Sequence, residues 1–165
     1  MAVLCNYIRT VSIMNDNNMK HVPTYLTTYL TYAGAVPFVM CAFCFLMEVR
    51  FIPIVGNVAE ILGIYSLVIA SFMAGSHWGQ HVHLSAKWAF YLQVSSNINA
   101  VFIWLAYLLL SFEMLLIVLA SSFLVLLLID RKMFYHHLMT QAYFRTRCIV
   151  TLIVETTLII AGIYA

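Results

Sequence analysis

Met114-Leu115-Leu116-Ile117-Val118-Leu119-Ala120-Ser121-Ser122-Phe123-Leu124-Val125-Leu126-Leu127-Leu128-Ile129 runs without a charge and then stops at Asp130-Arg131-Lys132. An apolar run of this kind, closed abruptly by charge, reads as a helix crossing a bilayer. Four further stretches read the same way, at about residues 25–47, 59–77, 88–110 and 148–164. The expected fold is therefore all-α, an integral membrane bundle of five transmembrane helices over residues 25–165. Residues 1–24 are expected to form a flexible cytoplasmic tail, with the polar stretch Asn15-Asp16-Asn17-Asn18.

Composition agrees. Hydrophobic residues make up 64% of the 165, charged residues 8%, and the mean hydropathy is +0.97. Soluble domains carry about 25% charged residues. So apolar a chain could not cover its own core with polar surface, a problem that lipid removes by solvating apolar side chains directly. A net charge of +2 is too small to suggest a nucleic-acid partner. The expected partners are the lipid bilayer and another membrane protein.

The basic residues orient the chain. With five spans, Arg9, Lys20, Lys87, Arg131, Lys132, Arg145 and Arg147 fall on one side and Arg50 alone on the other. The positive-inside rule then places the N-terminus in the cytoplasm of a bacterial inner (plasma) membrane, or in the matrix if the membrane is the mitochondrial inner one, and the C-terminus outside. Aromatics mark both interfaces, with Trp78, Trp88, Tyr91 and Tyr143 inside and Phe51, Tyr107, Phe112 and Tyr164 outside. The apolar runs before Lys20 are too short for a signal-peptide core.

Pro37 lies within the first span, where it should free the carbonyl of Ala33 and kink the helix. In the second, Ser66, Ala70 and Ala74 recur every fourth residue with Ser71 and Gly75 beside them, a close-packing helix face. The third is polar in its first half. Asp130 to Arg147 reads as the longest and most basic internal loop. Cys41 and Cys44 form a C-x-x-C pair at lipid depth, where small polarizable residues serve as packing elements.

Several of these stretches resemble a known pattern. They are Tyr32-Ala33-Gly34-Ala35-Val36-Pro37-Phe38; Tyr65 with Ser71-Phe72-Met73-Ala74-Gly75-Ser76-His77-Trp78-Gly79; the apolar run Leu126 to Ile129 ending in Asp130-Arg131; and Tyr143-Phe144-Arg145-Thr146-Arg147 with Thr151. Together they resemble the uncharacterised multi-span membrane family that includes transmembrane protein 69, found in bacteria and mitochondria. The likeness covers nearly everything after about residue 25. Departures are Asn99 where that pattern has Pro, Ala142 where it has Trp, and Ala74 where it has Gly. The resemblance implies a multi-span fold and singles out Pro37, Phe38, His77, Trp78, Gly79, Asp130, Arg145 and Arg147. It implies no particular activity.

All six histidines fall on the basic side. His77 and His81 share a helical face if the second helix continues, and with His83 they are candidate ligands for a metal or for haem iron. A structural reading competes: histidine at an interface also hydrogen-bonds backbone and headgroups. His77-Trp78-Gly79 suits a helix end in the headgroup belt. The family-like motifs of the basic face predict that His77, Trp78 and either Asp130 or an arginine of the last loop lie close together.

Glu155 is the acidic residue deep within a span, about 10 Å from the basic face at 1.5 Å per residue. Gln93, Asn97 and Asn99 lie near that depth, so the four are expected to form one intramembrane polar cluster, with Glu155 touching Asn97 or Asn99. No phosphate-binding glycine loop, H-E-x-x-H or nucleophile elbow occurs, so no motif argues for an enzyme. The expected role is a non-enzymatic scaffold or accessory subunit. Two rival readings stay open: a redox accessory binding a metal, haem or quinone through the histidines, and a small proton-coupled transporter using Glu155.

Overall fold

The computed structural model describes residues 24–80 and 84–164. The chain divides into two units, Met1–Leu30 and Thr31–Ala165. Of the first, residues 24–30 are described, and they form the opening turns of α1 (Thr24–Ala33). The rest of the expected tail, with Arg9, Lys20 and His21, lies outside the described residues.

In the second unit, α2 (Val36–Leu46), α3 (Val58–Gln80), α4 (Ala86–Leu109), α5 (Phe112–Tyr135) and α6 (Gln141–Tyr164) follow one another. Among the described residues, five helical segments are long and apolar enough to cross a membrane: Thr28–Leu46 and the whole of α3, α4, α5 and α6. The fold is an all-α bundle of five transmembrane helices. Helices of 23 or 24 residues are about 35 Å long, enough for the roughly 30 Å hydrocarbon layer and a turn of headgroup zone.

Pro37 acts one residue away from where the sequence places its effect. The helix breaks at Gly34–Ala35, and Pro37 sits in the first turn of α2, where a missing N–H costs nothing. The carbonyl answered from outside the helix is that of Gly34, which accepts a 2.9 Å hydrogen bond from Tyr65 Oη on α3. The Phe38 ring meets Tyr65 edge-on at 5.1 Å and Phe123 of α5 at 6.2 Å. One buried phenylalanine therefore joins three spans at the break.

The loop expected over residues 130–147 is mostly helix. α5 runs on to Tyr135 and α6 begins at Gln141, leaving residues 136–140 as the connection. The reason is amphipathic periodicity: Ile129, Asp130 and Met133 are buried while Arg131, Lys132 and Tyr135 are exposed, so one face keeps packing as the other enters the headgroups. The helix ends when His137 takes φ 58°, with His137 N–H bonded to the Phe134 carbonyl and Leu138 N–H to that of Met133. That is a Schellman cap. α2 ends in the same way at Glu48, φ 58°. Phe134 and Phe144 stack at 4.9 Å across the α5–α6 turn.

Between α2 and α3 the chain forms a short hairpin, β1 (Phe51–Ile52) antiparallel to β2 (Gly56–Asn57). α3 packs most closely on α4, α2 lies against α3 and α6, and α5 touches α3, α4 and α6. The core centres on Phe38, Phe45, Leu62, Ile103, Leu119 and Leu158. The close-packing face of α3 is narrower than the sequence suggests: Ser66, Ala70 and Ala74 are buried, but Ser71 and Gly75 are exposed, because Met73 and His77 complete the buried stripe.

Candidate functional site: a buried His–Asp–Arg network

Asp130 lies on α5, the most apolar of the five spans, yet its side chain is 1% exposed. An ionised carboxylate at that position needs partners, since its hydration is lost. Two adjacent helices supply them. His77 Nε2 on α3 lies 2.6 Å from Asp130 Oδ1, and Arg147 Nε on α6 donates to Oδ2 at 2.7 Å. His77 is 1% and Arg147 2% exposed. Arg147 NH1 points at Met73 Sδ, 3.0 Å away and one turn before His77. The carboxylate thus meets a donor at each oxygen, so His77 presents Nε2–H to it and Nδ1 is the nitrogen left over. His77 Nδ1 and Arg147 NH2 are buried without a hydrogen-bond partner.

Each residue reaches the network by helical register. His77 follows Ser66, Ala70 and Ala74 down one buried face of α3, whose small side chains allow neighbouring backbones to approach. Asp130 follows Phe123 and Leu126, and Arg147 precedes Val150, Thr151 and Val154. The structure brings His77, Asp130 and Arg147 together in one network. Trp78 and Gly79 are exposed, as is Arg145, two residues and about 200° from Arg147. Pro37 and Phe38 belong to the helix break.

The expected cluster of Gln93, Asn97, Asn99 and Glu155 does not assemble. Asn97 is exposed and donates Nδ2–H to the carbonyl of Gln93 in its own helix, 2.8 Å. Asn99 Oδ1 accepts from Ser122 Oγ of α5, 2.9 Å. No hydrogen bond joins Glu155 to either asparagine, and its Oε1 is buried without a partner. The cause is packing order: α6 lies against α2 and α5, so a residue on α6 at the depth of Asn97 meets other helices. Equal depth is not proximity. Glu155→Leu should therefore raise the unfolding temperature in detergent by removing an unsatisfied carboxyl from an apolar setting. A fall of several degrees would show that Glu155 has a stabilising partner.

Of the candidate metal ligands, His77 is committed to Asp130, while His81 and His83 lie outside the described residues. Among the described residues no group of three or more His, Cys, Asp or Glu side chains is placed to hold a metal ion. Cys41, Cys44 and Cys148 are free thiols. Two participants escape sequence reading. Met73 is an ordinary core residue until Arg147 is seen to point at its sulfur. Ser122 lies in a featureless apolar run, and only the α4–α5 packing reveals its bond to Asn99.

No curated protein and no solved structure matches the chain. A family model described as "Protein of unknown function (DUF3429)" matches residues 23–163, a range that holds the whole network and the five spans up to the last residue but one of α6. The chain belongs to the DUF3429 family.

Proposed function

We propose that the chain is a non-enzymatic scaffold or accessory subunit of a bacterial inner membrane, or of the mitochondrial inner membrane that the resemblance to transmembrane protein 69 would equally suit. The observation that supports this reading is the deep burial of the His77–Asp130–Arg147 network between three helices. Both carboxylate oxygens are engaged, the three side chains are almost fully buried, and each comes from a different helix. Such a group fastens α3, α5 and α6 into a rigid frame. The frame then presents a lipid-facing surface of large apolar side chains, among them Phe72, Phe90, Phe102, Trp104 and Leu152, to a neighbouring membrane protein.

The orientation in this reading has the N-terminus cytoplasmic and the C-terminus outside. Arg147 is matched by Asp130 and counts little as an anchor; removing it from the seven leaves six basic residues against Arg50 alone. A phosphatase fused at the C-terminus should be active, and a fluorescent protein fused there should stay dark; the reverse pattern would refute the assignment.

The scaffold reading is tested by making the network apolar. The triple variant His77→Leu/Asp130→Val/Arg147→Met stays near the original volume while removing every charge, a replacement that buried ion networks often tolerate. If the network is a fastener, a folded and inserted triple variant should still reverse the phenotype of cells lacking the chain. A variant that folds and inserts but fails to do so would assign chemistry to these side chains and sink the scaffold reading.

A further inference from the structure

On the outer face of α4 and α5, at the end that carries the network, lies an open cavity of about 450 Å³. Its rim is basic and aromatic, with Arg131, Lys132, His136 and Tyr91. Its wall toward the bilayer centre is apolar, formed by Val125 and Leu128, both half-exposed. The Lys132 ammonium sits 5.5 Å over the Tyr91 ring, and Trp88 meets His136 edge-on at 5.0 Å. These contacts hold the cationic rim at the level of an aromatic belt.

The charges of this rim are unanswered. The acidic residue at this end of the described bundle is Asp130, which faces inward and is taken by His77 and Arg147. Glu48, Glu60 and Glu113 lie at the opposite end. No ion pair engages Arg131 or Lys132 among the described residues. From Lys132 down to Val125 is seven residues, about 10 Å along the helix, so the apolar wall continues well below the headgroups.

We propose that this groove binds an anionic phospholipid, its phosphate held by Arg131 and Lys132 and an acyl chain lying along Leu128 and Val125. The rim alone would suit any phosphate. The wall favours the lipid, because a free anion gains nothing from apolar surface, whereas a lipid aligns both parts at the depths where a bilayer already holds them. Basic pockets between helices at the membrane surface recognise acidic headgroups in this way, with each Lys or Arg contributing additively.

The test uses the purified full chain in a neutral detergent, with native mass spectrometry of bound lipid. Phosphatidylglycerol should bind more tightly than phosphatidylcholine of the same chains. Arg131→Gln/Lys132→Gln should weaken the anionic lipid about 30-fold and phosphatidylcholine, whose choline offsets the charge of its phosphate, much less. Both side chains are exposed, so this variant should keep the parent's unfolding temperature in phosphatidylcholine. Leu128→Trp, which fills the groove and leaves the charge intact, should also weaken the lipid. Equal binding of the two lipids, or a double variant that binds phosphatidylglycerol as the parent does, would overturn the proposal. So would inorganic phosphate that displaces the lipid completely, which would make the site one for a free anion.

Discussion

Asp130→Ala should be the most damaging single substitution in the bundle, lowering stability by about 3–5 kcal/mol. The carboxylate accepts from His77 at 2.6 Å and Arg147 at 2.7 Å, and all three side chains are buried. Removing it strands a guanidinium and an imidazole against apolar neighbours, which is far worse than losing the pair as a whole. His77→Leu should cost less, because the Asp130–Arg147 pair survives. The apolar triple variant used to test the scaffold reading should recover most of the loss. Stability would be read from unfolding in mixed micelles, with the parent and all three variants side by side. If Asp130→Ala unfolds within about 1 kcal/mol of the parent, the value of an exposed pair, the network carries no structural load.

Phe38→Ala should come next. Phe38 is fully buried and its ring touches Tyr65 and Phe123 at the break between α1 and α2. In a bilayer the unfolded helix already sits in apolar surroundings, so the transfer part of the loss is small and the cavity remains. Emptying about 100 Å³ at roughly 24 cal/mol per Å³ costs about 2 kcal/mol. Tyr65→Phe probes the same joint differently: it keeps the ring and removes the donor to the Gly34 carbonyl, about 1 kcal/mol. Thermal unfolding in detergent should rank Phe38→Ala well below Tyr65→Phe. If the two are equal, the hydrogen bond and not the ring packing holds the break together.

The spans were legible because a bilayer imposes one-dimensional demands on length and apolarity, and the run from Met114 to Ile129 meets them without reference to any neighbour. Helix ends were less legible. Charge at Asp130 looked like the end of a helix, yet α5 continues to Tyr135 since its buried face carries on through Met133. The network was half legible. The motifs placed His77, Asp130 and the last arginines at one end of the bundle, but not which arginine turns inward. Arg145 and Arg147 differ by about 200° around α6, and only the packing of α6 against α5 selects Arg147 as the partner.

Glu155 shows the same limit from the other direction. Its place along α6 follows from counting residues, as do the places of Asn97 and Asn99 along α4. Which helices adjoin is a lateral matter, decided by how small residues, Phe38 and the buried ion network pack together. By itself the sequence determined the number of spans and where along each of them the polar groups fall, because both depend on position along a single chain. Only the tertiary structure decided which charges are surface anchors and which are partners, because pairing needs side chains from separate helices to share one point in space.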